Sequence, residues 1–354
     1  MEVHTDHHKQ GPLTPKTDPL PPYDEQGEMT DAERVEAAYL GFLRDFGQES
    51  AVHLDACIHC GACAHACHYY LETGDPEFTP IYKLEPFKKA YQREAGPWSP
   101  LYRLFGLTAM PDLEELREWE HHIYDSCNLC GRCTLVCPMG IDIADLVKSA
   151  RHGMYEAGLV PARLARITRN AEKGSQFGTP EQFIDAATSI CDAFGVELHL
   201  DKPKADLLLT TAPGELEAHH KSFADACKIL NHLGIDWTMR SDAFEATNFG
   251  YLSGNHPLQQ KLTTTLIDKA VEIGAKTIVI PECGHAYGAL RWEWATWYDK
   301  PLPVEVLHMT EFLDREVASG RLRVNKLNET TTFHDPCQMV RRGGLVEAPR
   351  RLLE

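Results

Sequence analysis

The chain lacks the signals that would take it to a membrane or a nucleic acid by its own means. None of its 354 residues falls in an unbroken apolar run of ~18 side chains, so no bilayer-spanning helix is expected. The first residues, Met1-Glu2-Val3-His4-Thr5-Asp6, contain neither a basic nor an apolar stretch, so no secretory leader is read there. Positive charge is scarce: 35 Lys and Arg against 52 Asp and Glu leave a formal net charge of −17. A surface of that sign repels phosphate backbones and anionic lipid headgroups, and it favours docking to basic faces of protein partners. Neither G-x-G-x-x-G nor G-x-x-x-x-G-K-[ST] occurs, so the usual dinucleotide and ATP cradles are absent.

Cysteine, by contrast, is abundant. There are twelve, and eight of them lie between Cys57 and Cys137. In a chain without a leader the expected compartment is a reducing cytosol, where clustered thiols point to metal or redox chemistry more than to a disulfide framework.

Along the chain, residues 1–50 read as a Pro-rich arm followed by a helix. The arm carries Pro12, Pro15, Pro19, Pro21 and Pro22, and its His4, His7 and His8 read as solvated side chains. Val35, Ala38, Tyr39 and Phe42 have helical spacing, with Thr30 or Asp31 as N-cap. Residues 51–158 form the cysteine-rich region, interrupted by an insert, 68–126, with a charged helix near Leu113–His121. After Cys137, the stripe Ile143, Leu146, Val147, Ala150 and Met154 predicts a helix capped by Asp142 and ended by Gly158. Residues 159–204 read as a helical linker.

From 205 to 354 short apolar runs alternate with helices. Strands are expected over Asp206–Thr211, Trp237–Arg240, Lys276–Ile280 and Thr331–His334. Helices are expected over Ala218–Leu233, Pro257–Ile273 and Thr310–Ala318, closed by Gly234, Gly274 and Gly320. That alternation implies a mainly parallel α/β layer. The fold class is therefore α+β and multi-domain: a helical dicluster ferredoxin-like domain, then an α/β domain.

The chemistry lies in two repeated arrays: Cys57-x-x-Cys60-x-x-Cys63-x-x-x-Cys67 and Cys127-x-x-Cys130-x-x-Cys133-x-x-x-Cys137-Pro138. Two-residue spacing lets three thiolates of one loop grip one [4Fe–4S] cubane, while the fourth cysteine ligates the other cluster. The expected ligand sets are Cys57, Cys60, Cys63 and Cys137 for the first cluster, and Cys127, Cys130, Cys133 and Cys67 for the second. Zinc would be satisfied by paired C-x-x-C units and would leave the remaining cysteines unexplained. Cys63 to His68 reads C-x-x-x-C-H, one residue too long for haem attachment. His68 stands where a ferredoxin usually has proline; it either hydrogen-bonds a sulfur or faces solvent. With two clusters and no nucleotide motif, the chain reads as an electron conduit between other proteins or centres.

Of the other four cysteines, Cys191 and Cys227 sit in helical stripes and read as core thiols. Cys283 and Cys337 each follow an expected strand, where open α/β sheets place ligands, and they are candidate catalytic residues; a plain loop or core thiol is the alternative for Cys283.

The arrays, together with Tyr69-Tyr70-Leu71-Glu72-Thr73-Gly74-Asp75-Pro76, Cys137-Pro138-Met139-Gly140-Ile141-Asp142-Ile143, Pro281-Glu282-Cys283-Gly284-His285-Ala286-Tyr287 and His334-Asp335-Pro336-Cys337, resemble the HdrD-type family of heterodisulfide reductase iron–sulfur proteins from about residue 50 onward. Within that family the likeness is to its DsrK branch, from the DsrMKJOP membrane complex of dissimilatory sulfite reduction. The resemblance implies a peripheral subunit on the cytoplasmic face, held by a DsrM-like cytochrome b-type membrane subunit and other subunits. It also implies a CCG-type domain with a noncubane [4Fe–4S] cluster acting on a disulfide or trisulfide, such as one carried by DsrC. On that reading Asn248-Phe249-Gly250 replaces Cys-Cys-Gly in a degenerate first copy, and Cys337 opens a second copy. Pro349 starts a final helix with no closing residue, so the chain is expected to be a truncated form of a longer protein. Two other readings are an iron–sulfur subunit of anaerobic glycerol-3-phosphate or lactate oxidation, and a non-catalytic protein stapled by its clusters.

Overall fold

The computed structural model describes residues 29–44, 48–294, 301–326 and 328–354. The arm with His4, His7 and His8 lies outside the described residues.

The helical half is organised around one crossing. The helix Asp31–Arg44 starts with a reciprocal cap: Thr30 Oγ1 accepts from the Glu33 amide, and Glu33 Oε2 accepts from the Thr30 amide. It packs on the helix Ile143–Glu156 at a glycine contact. A methyl built on Gly41 would sit 2.5 Å from Gly153 Cα, and one on Gly153 would sit 2.2 Å from the Phe42 ring. Only glycine allows this approach, and the closeness lets Phe42 bury completely.

Phe42 meets Phe87 and Trp119 edge-on, with ring centres 5.8 and 5.4 Å apart. The insert 68–126 is thus part of this core through its helices Glu85–Glu94 and Leu113–Glu120. Asp142 caps the helix Ile143–Glu156 by accepting from the Asp145 amide, and Gly158 follows it at φ 68°, as the sequence pattern implies.

The second half is built on a four-stranded parallel sheet in the order β2-β1-β3-β4, where β1 is Leu207–Leu209, β2 Trp237–Thr238, β3 Thr277–Ile280 and β4 Glu305–His308. Leu208 pairs with Ile278, and Val279 with Leu307. Parallel neighbours need crossovers, which the helices His220–His232 and His256–Glu272 supply. Both sheet faces are covered, which is why β1 is a plain run of leucines.

Two expectations are corrected here. The stretch Thr331–His334 forms no strand; it is exposed and makes no ladder, and β-branched residues without a partner strand have nothing to stabilise extended pairing. The fourth strand is instead Glu305–His308, disguised in sequence by Pro301 and Pro303, where Val306 and Leu307 bury against β3. The helix expected over Ala218–Leu233 is His220–His232, and a separate short helix, Pro213–Glu217, precedes it. In the stretch assigned to a linker, the helix Pro180–Phe194 packs into the sheet's core, with Phe183 stacked on Phe244 at 4.0 Å.

The halves are tied by buried polar contacts. Arg151, 4% exposed, donates to the carbonyls of Ile123 and Cys127 on one side and Leu252 on the other. The Tyr124 hydroxyl donates to the Ser253 carbonyl at 2.8 Å.

Candidate functional site

The two cysteine loops repeat one backbone conformation. In the first, His59 and Gly61 have φ of 54° and 77°; in the second, Leu129 and Gly131 have 51° and 72°. A non-glycine residue at positive φ costs roughly 1–2 kcal/mol, so strain at both His59 and Leu129 has to be held by the surroundings. Both loops then reach a fourth cysteine through the same short turn, Cys67 N to Ala64 O at 3.0 Å and Cys137 N to Thr134 O at 3.2 Å.

This winding turns the thiols inward and exchanges the fourth one. Cys57, Cys60, Cys63 and Cys137 line one cavity; Cys127, Cys130, Cys133 and Cys67 line a second. Both sets named from spacing are brought together. Among the described residues no three His, Cys, Asp or Glu side chains converge to hold a single metal ion. The donors instead surround two cavities, each offering four free sulfurs, and that donor set suits a [4Fe–4S] cluster. Burial pushes the Cys63 thiol up, with Cys57 adding to it. Cys133 is pushed up to about 12 by burial and then by Cys127 and Cys130. Four thiolates this close repel one another, so the ionised set needs a cationic group between them.

The walls differ. The first cavity is lined by Leu54, Ile58, Ile81, Leu84 and Ile141, and its neighbouring cation, Lys88, is partly exposed and lies 2.7 Å from His59 Nε2. The second shares apolar lining, from Leu129, Ile143, Ala144 and Val147, but adds Lys83, Arg132, His68 and Tyr69. Lys83 is 2% exposed; its ammonium donates to the Ser126 carbonyl and lies 3.8 Å from Cys67 Sγ. His68 lies over the Tyr69 ring at 4.4 Å, and burial, then Arg132 and Lys83, lower its pKa. Of the two alternatives left open for His68, it lines the second cavity, and no hydrogen bond from its ring to a sulfur is among the described contacts.

Cys283 and Cys337 are placed differently, and only Cys337 borders the second site. Cys283 follows β3 as expected and caps the helix Gly284–Arg291, its sulfur 3.4 Å from the Ala286 amide. Burial raises its thiol pKa. Cys337 does not follow a strand, correcting the expectation; it opens the wide turn Cys337–Arg341 after Pro336. That turn docks on the second cysteine loop. Gln338 Nε2 donates to the Leu129 carbonyl at 2.8 Å, Arg341 Nε to that of Cys130 at 3.2 Å, and Arg342 pairs with Asp142 at 3.3 Å. Gly284 lies so close to the same turn that an added methyl would meet Gln338 Cβ at 2.9 Å. Cys337 lines a third cavity with Cys127, Asn128, Arg151 and His285. Burial, then Arg151 and Arg342, pull His285 down to about 4, so its ring is neutral near pH 7. Cys191 and Cys227 are core thiols, 1% and 0% exposed.

Lys83, Arg151, Gln338 and Arg341 were not singled out from sequence. Arg151 had a signal: it lies on the buried stripe beside Val147, Ala150 and Met154. Lys83 had none, being separated from Cys67 by sixteen positions of irregular insert.

A family profile described as a 4Fe-4S dicluster domain matches residues 53–141. The chain is 26% identical over 350 residues to the Hdr-like menaquinol oxidoreductase iron-sulfur subunit of Archaeoglobus profundus, and 28% identical over 355 residues to iron-sulfur subunit 2 of the same description from Archaeoglobus fulgidus. Each match covers 85% of this chain and 62% of the relative, so the chain spans about three-fifths of those relatives' length. It is 27% identical to the HdrD-type subunit of the dihydromethanophenazine:CoB–CoM heterodisulfide reductase of Methanosarcina acetivorans, over 85% of this chain and 73% of that relative. No solved structure matches. The resemblance to heterodisulfide reductase-like iron–sulfur subunits thus extends over most of the chain.

Proposed function

We propose that this chain is an electron-transfer subunit carrying two [4Fe–4S] clusters in a quinol-linked, heterodisulfide reductase-like complex of sulfur metabolism. The observation that carries the proposal is the exchange of fourth cysteines, which gives each cavity four sulfurs drawn from both arrays. When bound, such clusters supply one-electron transfer and no group chemistry of their own. On this reading Cys57, Cys60, Cys63 and Cys137 hold one cluster, and Cys127, Cys130, Cys133 and Cys67 the other. Leu54, Ile81 and Leu84 cover the first on its apolar side, while Ile58 and Cys60 stay exposed at its edge.

The protein side of the reading follows from the same surfaces. No helix among the described residues is long and apolar enough to cross a membrane, so a quinol-reactive partner would be a separate, DsrM-like subunit. Trp98, Leu104, Phe105 and Leu107 stay largely exposed on and beside the helix Ser99–Phe105, and they favour a surface covered by a partner protein; a peripheral placement on the cytoplasmic face is proposed from the resemblance. A DsrC-like sulfur carrier would be met near Cys337 and Cys283, beside the second site. The division into a dicluster unit, 51–158, and a CCG-type α/β unit, 205–354, belongs to this reading. The noncubane cluster expected by resemblance needs more donors than these two thiols, so no step is assigned to it.

EPR of the anaerobically reconstituted, dithionite-reduced chain tests the proposal. Two interacting S = 1/2 signals are expected. A silent spectrum from an iron-loaded chain would instead support clusters that only staple the fold.

A further inference from the structure

We infer that the buried ammonium of Lys83 sets the order of the two reduction potentials, making the second site the higher and so the electron-collecting end. The inference rests on the two-cluster reading above. Lys83 lies in the short turn Tyr82–Leu84 and is 2% exposed. Its hydrogen bonds go to the Ser126 carbonyl and the Cys67 sulfur, and its ammonium lies 5.1 Å from the centre of the Tyr69 ring; none of these neighbours carries a formal negative charge to offset it before a cluster is bound.

Other cations reinforce it from the opposite side. The guanidinium of Arg151 donates to the Cys127 carbonyl at 2.7 Å, and that of Arg341 to the Cys130 carbonyl at 3.2 Å. Arg132 lines the cavity itself. Every cysteine supplied by the second loop except Cys133 therefore has a cationic side chain on its own carbonyl, and the exchanged Cys67 has one at its sulfur.

Reduction places one more negative charge in the cavity. A fixed cation stabilises the reduced form, and it does so more strongly where the surroundings polarise less. At the first site the corresponding cation, Lys88, is partly exposed and engaged with His59, so water screens it. The exposed Cys60 admits water there and pushes the first potential upward, but a solvent-screened edge acts more weakly than a buried charge at a ligand sulfur. The order matters because the second site borders the cavity of Cys337. With clusters held at both sites, that order would favour passage from the first toward the second, which borders Cys337.

The test is an EPR-monitored redox titration of the full chain, wild type beside Lys83→Met, Lys83→Arg and Arg341→Leu, with iron analysis of each. The Cys130→Ala variant, retaining only the first cluster, assigns the two wild-type midpoints. The higher midpoint is expected to belong to the second cluster. It should fall in Lys83→Met, stay in place in Lys83→Arg and fall less in Arg341→Leu, while the lower midpoint holds. If Lys83→Met loses iron, Lys83→Gln, which keeps a donor for the Ser126 carbonyl without the charge, is titrated in its place and should show the same fall. Unmoved midpoints with about eight irons per chain, or equal shifts of both, overturn the inference. Wild-type chain that binds far fewer irons overturns the two-cluster reading itself, which is a distinct result.

Discussion

The two cysteine loops share a spacing, a pair of positive-φ positions and a closing turn, yet their neighbourhoods have little in common. The first is walled by aliphatic side chains and has an exposed cysteine; the second is ringed by Lys83, Arg132, Arg151 and Arg341 and serves as the seat of the Cys337 turn. The shared part sets which sulfurs meet. The unshared part comes from far along the chain and sets what each site can be used for. A repeat in sequence therefore establishes two equal ligand sets without making two equal sites.

Removing a ligand from each loop breaks the comparison most severely. Cys60→Ala should abolish the first cluster and Cys130→Ala the second, each leaving about four irons per chain. Loss of both clusters from either variant would mean that the helical half folds as one metal-dependent unit. A gentler pair sharpens it. Gly61→Ala and Gly131→Ala should each cost about 1 kcal/mol from left-handed strain, read as a lower denaturation midpoint of the loaded chain. The two costs should be alike, because the methyl added at Gly131 meets the flexible Arg342 side chain at 3.4 Å, an ordinary contact, and Gly61 has nothing within 4 Å. A markedly larger loss at Gly131 would show that the Cys337 turn presses tightly on the second loop.

The shared features of the loops were legible in the sequence and the unshared ones were not, for physical reasons. Cysteine spacing is local, so the two loops could be read directly, while the exchange of Cys67 and Cys137 was expected from the pattern of two-cluster ferredoxins. Asp142 and Gly158 marked a helix because caps are local too. The sheet was only partly readable: Glu305–His308 becomes a strand through β3, while Thr331–His334, richer in β-formers, finds no ladder. The docking of Gln338 on Leu129 joins residues 209 positions apart, and nothing in either segment announces it. Lys83 is similar, one of three lysines in the insert, and its meaning comes from burial.

Both the ligand sets and the order of potentials depend on each cavity being completed by the other loop's fourth cysteine. EPR spectra of reduced Cys137→Ala, set beside those of Cys57→Ala and Cys127→Ala, probe that exchange without intermediaries. Cys137→Ala should reproduce the Cys57→Ala spectrum, with the second cluster's signal alone remaining. A Cys137→Ala spectrum matching Cys127→Ala instead would place Cys137 with its own loop and undo the exchange.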